Sequence, residues 1–197
     1  MITSSTLHDL KDVTVEPLIN IMKDSYNSGT VPSQWKTASV TPIFKKGSKH
    51  DPGNYRPISL TSITGKLMES MIKDTIVDHL SRNKLIYKTQ FGFMQRRSCL
   101  LNLLTYLEQL TKELDKGSSI DVVYLDYSKA FDRVPHERLR IILKAHGIRG
   151  KTLNWIMGWL KDRTQYVRLN GKSSNLESVL SGVPQGSILG RGGKLRI

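Results

Sequence analysis

The sequence predicts an α/β or α+β domain in which helices surround a small sheet. Apolar residues recur at helical spacing in separate segments, as they do over residues 67–80 and 100–114. Short apolar stretches of strand length lie between such segments at long intervals, at residues 40–44, 58–60 and 120–125. Helical segments that alternate with short strands indicate a mixed domain rather than a helical bundle or a sandwich.

The first third of the chain is predicted to contain a helix followed by two strands. Pro17 suits the first turn of a helix, and the apolar spacing that follows ends at Gly29. A strand-like stretch runs through residues 40–44, and a second short strand covers residues 58–60. Between them, residues 45–57 form a basic loop that is rich in turn-forming residues.

Two helices are predicted in the middle of the chain from their apolar faces. The first has two adjacent rows at a spacing of four, Leu67 and Met71 beside Met68, Ile72, Ile76 and Leu80. The second is predicted to begin at the N-cap Ser98 and to end at Gly117. Its leucines are expected to face the core, namely Leu100, Leu103, Leu104, Leu107 and Leu114.

The last third of the chain is predicted to contain a strand, two helices and a hairpin. A strand over residues 120–125 is expected to end at Asp126, and a helix from Pro135 is expected to end at Gly147. A further helix covers residues 151–162, where two tryptophans four positions apart, Trp155 and Trp159, are predicted to be packing anchors. The dipeptide Asn170-Gly171 is a strong signal for a tight hairpin turn.

The composition favours a polyanionic partner. The 197 residues include 30 Lys and Arg against 17 Asp and Glu, a formal net charge of +13, and 38% are hydrophobic. Such an excess points to nucleic acid, with an anionic membrane surface as the rival. No apolar run is long enough for a membrane span, and the start of the chain lacks a signal-peptide pattern. We therefore expect no membrane partner and an intracellular location, in the nucleus or cytoplasm. A single cysteine, Cys99, excludes an internal disulfide, and the five histidines show no zinc-binding spacing.

Asp126 is the most informative residue of the chain. A carboxylate at the end of a buried strand, with an aromatic five residues later at Phe131, suits a divalent metal beside a nucleotide. Magnesium prefers oxygen ligands and keeps several waters, so one or two carboxylates and substrate phosphates suffice. The alternative interpretation is an aspartate that ends a strand and begins a turn.

Four sequence blocks, in this order, closely resemble the reverse transcriptase of non-long-terminal-repeat retrotransposons. They are YRPISL at 55–60, QFGF at 90–93 with RRS at 96–98, YLDYSKAFD at 124–132, and SGVPQGS at 181–187. The resemblance runs from about Val31 to Gly190. It implies the fingers and palm of a right-hand polymerase that copies RNA into DNA.

The resemblance also implies a division of the chain and a set of partners. The predicted segments are an N-terminal helical extension at 1–30, a fingers-like region at 31–117, a partial palm at 118–190 and a divergent tail at 191–197. The implied partners are an RNA template, a DNA primer and deoxynucleoside triphosphates, with Mg²⁺ or Mn²⁺ as the cofactor.

The resemblance implies roles for two residues of the palm block, which is the segment YLDYSKAFD at 124–132. Asp126 matches the first metal-binding aspartate and is therefore the implied catalytic and metal-binding residue. Phe131 matches the aromatic residue beneath the sugar, where a ring excludes the 2′-hydroxyl of a ribonucleotide. The alternative for Phe131 is a core residue at the turn between strand and helix.

The other implied contacts lie on the nucleotide or on the template. Lys46 and Arg56 match positions that hold the triphosphate, where Lys45 competes with Lys46 for one role. The loop residues Gln185 and Gly186 match the segment beside the nascent base pair. A further two arginines, Arg96 and Arg97, match template contacts, with a solvated basic surface as the alternative.

The chain departs from the family pattern after Gly190. The family continues with an apolar helix and a hairpin that bears an aromatic-Ala-Asp-Asp block, and this chain contains no Asp-Asp pair. The expectation is therefore a truncated fragment with an incomplete sheet and no catalytic activity of its own. The alternative function is a basic RNA-binding remnant without catalysis.

Overall fold

The computed structural model describes residues 3–92, 94, 96–127 and 129–192. Most of the predicted tail at 191–197, together with one residue of the palm block, Ser128, lies outside the described residues.

The described residues form eight α-helices and one short 3₁₀-helix around a small mixed sheet, which confirms the predicted α+β class. The helices are α1 (Ser4–Asp9), α2 (Lys11–Ser28), α3 (Ser33–Lys36), α4 (Ile63–Arg82), α5 (Cys99–Leu114), α6 (His136–Ala145), α7 (Gly150–Leu160) and α8 (Ile188–Gly192). The strands are β1 (Thr37–Phe44), β2 (Tyr55–Leu60), β3 (Arg163–Leu169), β4 (Lys172–Ser173) and β5 (Glu177–Val179).

Strand β1 lies at the centre of the sheet and joins distant parts of the chain. It pairs antiparallel with β2, with Ser39 opposite Leu60, and parallel with β3, with Thr37 opposite Thr164. The other side of β3 pairs antiparallel with β4 and β5. The sheet therefore spans the predicted fingers-like and palm segments, whose division stays a prediction.

Helix ends follow the capping chemistry of the sequence. Ser62 caps α4 and Ser98 caps α5, each by accepting a backbone N–H with its hydroxyl. Gly29 ends α2 in the left-handed conformation, at a φ of 71°. The predicted start at Pro17 is wrong, because α2 begins at Lys11 and Pro17 lies inside it. Only one i−4 hydrogen bond is lost there, and the helix continues on both sides.

The core lies between the helices, where the two tryptophans are almost fully buried. Trp155 and Trp159 of α7 are 0% and 2% exposed, which confirms them as packing anchors. The indole N–H of Trp155 donates to Ser25 Oγ at 3.0 Å, so its one polar atom is satisfied. Helix α4 contributes one row of the predicted face, Met68, Ile72, Ile76 and Leu80. The adjacent row was predicted to share that face, but Leu67 and Met71 are about half exposed.

Helix α5 forms as predicted, but its leucines do not reach the core. Leu100, Leu103, Leu104, Leu107 and Leu114 are between 46% and 63% exposed. No residue of α5 belongs to the core cluster of the described residues. Periodicity specifies which face of a helix is apolar, whereas burial also requires a second apolar surface to cover that face. The prediction that these leucines face inward is therefore wrong for the described chain.

The strand predicted over residues 120–125 is absent, and this too is a correction. Residues 120–127 have no regular secondary structure, and Val123, Tyr124 and Leu125 are about 80% exposed. A strand exists only through the hydrogen bonds of a neighbouring strand, and no described strand pairs with this segment. A 2.8 Å hydrogen bond between the hydroxyls of Tyr106 and Tyr124 joins this segment to α5.

Candidate nucleotide and template site

Two loops from separate parts of the chain are joined by backbone hydrogen bonds. The first is the palm turn, residues 129–135, and the second is the glutamine loop, residues 181–187. Val183 N donates to Phe131 O at 2.8 Å, and Gly182 N donates to Val134 O at 2.9 Å. The imidazole Nε2 of His136 lies 2.8 Å from Gly182 O and ties the start of α6 to the same loop. The two loops therefore form one continuous unit.

Gln185 holds this unit against strand β2. Its side-chain amide donates to Asp132 Oδ1 at 3.0 Å, and its carbonyl accepts from Ser59 N at 2.7 Å. Gly186 follows with a φ of 119°, where an added Cβ would lie 2.5 Å from Ser59 O. Only glycine allows this approach of the two backbones.

Phe131 lies at the centre of the palm turn and is half-buried. Its carbonyl accepts the Val183 hydrogen bond, so the position of Phe131 is coupled to the glutamine loop. An added Cβ on Gly182 would lie 2.6 Å from Phe131 O, which shows how closely the two segments approach. This placement is compatible with both sequence interpretations, the sugar gate and the packing residue.

Glu69 of α4 anchors the far end of the glutamine loop, and sequence reasoning did not identify it. Its carboxylate, 1% exposed, accepts from Ile188 N at 2.7 Å, Leu189 N at 3.3 Å and Trp159 Nε1 at 3.2 Å. Burial raises the pKa of the Glu69 carboxyl, and these hydrogen bonds and nearby Arg163 offset the increase in part. The available signal was a glutamate that helical spacing places on the same face as Met68, Ile72 and Ile76.

Arg163, at the start of β3, is a second buried charge that the sequence did not reveal. It is 1% exposed, and its guanidinium lies 4.8 Å from the centroid of the Trp159 ring. Burial lowers the pKa of Arg163 to about 10, against the opposing effect of Glu69. Its Nη2 has no hydrogen-bond partner among the described residues.

A cavity of about 400 Å³ lies beside the glutamine loop. Its wall combines polar residues of four segments, which are Ser59 of β2, Asp132 of the palm turn, Gln185 of the glutamine loop and Arg163 of β3. Apolar residues of the central strands, such as Val40, complete it. The volume is in the range of small-molecule pockets, about 300–1,000 Å³.

The predicted triphosphate contacts lie on the hairpin of β1 and β2. Arg56 is exposed on β2 opposite Ile43, and Lys46 is exposed in the connecting turn. Lys45 N donates to Asn54 O at 2.9 Å and closes this turn. Both lysines are exposed, so Lys45 and Lys46 remain alternatives.

The two predicted template contacts have different environments. Arg96 is exposed and adopts a left-handed backbone, at a φ of 59°. Arg97 Nη1 donates to the carbonyls of Lys88 and Gln90, and its guanidinium lies 5.3 Å from the centroid of the Phe91 ring. Arg97 therefore stabilises its own loop, whereas the guanidinium of Arg96 faces solvent.

The residues described do not fit a complete metal centre. Asp126 is exposed on the irregular segment, with no hydrogen bond or ion pair to another described residue. The described residues contain no group of three or more His, Cys, Asp or Glu that could hold a metal ion. The next carboxylate along the chain, Asp132, accepts from the Gln185 amide. A lone exposed carboxylate does not organise two divalent ions.

The structure thus brings together part of the predicted site. Phe131, Gln185 and Gly186 meet at one junction with β2, the strand that carries Arg56. The carboxylate of Asp126 makes no hydrogen bond or ion pair with the described residues of that junction.

Comparison with known protein families matches the part of the chain that contains these segments. Residues 43–191 match the family model described as reverse transcriptase (RNA-dependent DNA polymerase). The chain belongs to the reverse transcriptase family. In this reverse transcriptase chain, the matched region includes the palm turn and the glutamine loop. It also includes the part of the β1–β2 hairpin that begins at Ile43.

Curated relatives of this reverse transcriptase chain come from mobile elements. It is 31% identical over 192 residues to the RNA-directed DNA polymerase from mobile element jockey of Drosophila melanogaster. This alignment covers 96% of this chain and 21% of that protein. It is 33% identical over 166 residues to the probable RNA-directed DNA polymerase from transposon BS of Drosophila melanogaster. This alignment covers 81% of this chain and 18% of that protein. It is 30% identical over 162 residues to the retrovirus-related Pol polyprotein from type-1 retrotransposable element R2 of Popillia japonica. This alignment covers 82% of this chain and 22% of that protein.

The chain therefore spans about a fifth of the length of these relatives. Within the described residues, no helix has the length and apolar character needed to cross a membrane.

Proposed function

We propose that this chain provides the fingers and part of the palm of an RNA-directed DNA polymerase, and that its loop junction frames the incoming deoxynucleotide. One observation carries the proposal. The palm block, the glutamine loop and the YRPISL strand, which the resemblance assigns to one nucleotide site, meet through hydrogen bonds of 2.7–3.0 Å.

Each proposed contact performs a positioning task. Arg56 grips phosphate oxygens with its guanidinium, and Lys46 adds a point charge from the adjacent turn. Gln185, held by Asp132, presents a fixed amide near the sugar and base. Phe131 excludes the 2′-hydroxyl and so favours deoxynucleotides. Phosphoryl transfer depends mainly on such positioning and on electrostatic stabilisation.

Divalent metal supplies charge stabilisation in this family, and we propose that Asp126 contributes one ligand to it. The described carboxylates do not assemble such a site, so the chain by itself is expected to be inactive. Purified protein should show no magnesium-dependent primer extension on an RNA template. Extension that Asp126→Ala abolishes would contradict this expectation.

Nucleotide binding by the chain itself tests the proposal without requiring catalysis. Fluorescence titration with a labelled dGTP should give saturable binding that Arg56→Ala weakens roughly tenfold, since charge-assisted hydrogen bonds are lost. The matched control is Arg168→Ala, an exposed arginine of β3, which should leave affinity unchanged. Equal effects of the two substitutions would reject Arg56 as a phosphate contact.

A second titration separates the two interpretations of Phe131. In Phe131→Ala the affinity for GTP should approach that for dGTP, because the ring that meets the 2′-hydroxyl is gone. If the dGTP-to-GTP affinity ratio does not change while the protein stays folded, Phe131 is a packing residue.

The second candidate function is a basic RNA-binding remnant, favoured by the net charge of +13 and by the isolated position of Asp126. Such a remnant would bind RNA with a steep salt dependence and little sequence preference, and would not distinguish dGTP from GTP. Filter binding to several unrelated RNAs, beside the nucleotide titration, discriminates between the two functions.

A further inference from the structure

A second cavity, which the proposed function does not use, lies among helices α4, α6, α7 and α8. Its volume is about 300 Å³. All but two of the residues that line it are apolar, including Ile76 of α4, Leu139 of α6 and Trp159 of α7. Well-packed protein interiors contain few voids larger than a water molecule, and this volume reaches the lower end of small-molecule pockets. It is therefore too large to be an ordinary packing defect.

The two polar residues of this apolar cavity are both cations. Lys73 of α4 is half-buried, and its Nζ lies 3.7 Å from Asp74 Oδ1. Asp74 itself does not line the cavity. Arg138 of α6 is exposed and has no hydrogen bond or ion pair with another described residue. No acidic residue is among those that line the cavity. The cavity thus combines an apolar interior with positive charge on two of its walls.

We propose that this cavity binds a small amphipathic anion, with an aliphatic or aromatic body in the apolar interior and a carboxylate or sulfonate beside Lys73 and Arg138. Charge complementarity favours an anionic ligand over a neutral apolar ligand and over a cationic ligand. A neutral apolar ligand would leave Arg138 without a partner, and a cationic one would be repelled by both residues.

Occupancy of the cavity affects the glutamine loop, because they share structural elements. Val183 of that loop and Leu189 of α8 both line the cavity. Pro135, also in the lining, precedes His136, whose ring contacts Gly182 O. A bound ligand therefore packs against both ends of the loop that carries Gln185, and it should slow hydrogen exchange at the backbone amides of that loop.

Calorimetric titration of the whole chain with three ligands of equal chain length tests the proposal. Octanoate should bind about fivefold more tightly than octanol, given the small contribution of partly exposed ion pairs. Octyltrimethylammonium should bind more weakly than either. In the double variant Lys73→Met and Arg138→Met the octanoate-to-octanol ratio should fall to about one, whereas Arg168→Met, the matched surface control, should leave it at its original value.

A filling substitution, Leu139→Trp, locates the binding. It should weaken octanoate by at least about tenfold, because the indole occupies the apolar space. A far-ultraviolet circular dichroism spectrum confirms that each variant is folded, and the exposed Arg138→Met alone serves if Leu139→Trp does not fold.

Equal affinity for octanoate and octanol, or an octanoate affinity that neither the double variant nor Leu139→Trp changes, would overturn the proposal. Binding of the labelled dGTP is measured on the same variants. If the unchanged chain binds dGTP but not octanoate, the cavity proposal fails alone, and if it binds octanoate but not dGTP, the proposed function fails alone.

Discussion

Replacing Glu69 by alanine should destabilise the chain by about 3 kcal/mol. The carboxylate accepts from two backbone N–H groups of α8, at Ile188 and Leu189, and from the indole of Trp159. Each buried donor left without a partner costs about 1–3 kcal/mol. The contacts at 3.3 and 3.2 Å are the weaker ones, so we take the low end for all three donors. The loss also leaves Arg163 as a buried cation without its nearby carboxylate.

Urea denaturation followed by tryptophan fluorescence measures this change, because Trp35, Trp155 and Trp159 are all buried. With a denaturant slope of about 2 kcal/mol/M, the midpoint should fall by about 1.5 M. The matched control is Glu108→Ala on the exposed part of α5, which should shift the midpoint by much less. A Glu69→Ala midpoint equal to that of the control would refute the structural role assigned to this carboxylate.

The pH dependence of the same measurement has a definite sign. Burial raises the pKa of Glu69 in the folded chain above its ordinary value of 4.5. The folded state therefore binds more protons than the unfolded state between these two values, and stability from this residue is lost as pH rises through the raised pKa. The destabilisation caused by Glu69→Ala should consequently be larger below pH 4.5 than at neutral pH. A difference that grows with rising pH would contradict the assigned direction.

Three further outcomes follow from the remaining features. Arg96→Ala should reduce the slope of log RNA affinity against log salt by about 0.7, measured by filter binding, since its guanidinium faces solvent. Leu103→Glu with Leu107→Glu should reduce self-association in light scattering without lowering stability, because both side chains are about half exposed. Gly186→Ala should destabilise the chain by about 1–3 kcal/mol in urea denaturation, because its Cβ would lie 2.5 Å from Ser59 O.

Sequence pattern predicted the helices and the hairpin well, because their signals are local. Ser98 caps α5 through its own hydroxyl, and Asn170-Gly171 turns the chain with positive φ at both residues. Such features depend on neighbours within a few positions, which the sequence displays directly. The start of α2 was missed because Pro17 suits the first turn of a helix without requiring it.

The candidate site was predictable only through resemblance and only in part. Gln185, Gly186 and Phe131 meet as the resemblance implies, but Asp132, His136 and Glu69 hold them together through long-range contacts. Their partners lie 46 to 120 positions away along the chain, and no local pattern encodes such pairs.

The segment before Asp126 and helix α5 fail in the same way, and for one physical reason. Residues 120–125 have the composition of a strand, and α5 has the periodicity of a core helix, yet both are exposed. Among the described residues, a hydrogen bond between the hydroxyls of Tyr106 and Tyr124 joins them to each other. Composition specifies what an element can become, but a strand and a buried helix face each require a second surface. The 124–132 block therefore divides near Asp126, since Phe131 and Asp132 are hydrogen-bonded to the glutamine loop whereas no described strand lies beside residues 124–126. This division explains why Phe131 reaches the predicted junction and the carboxylate five positions earlier does not.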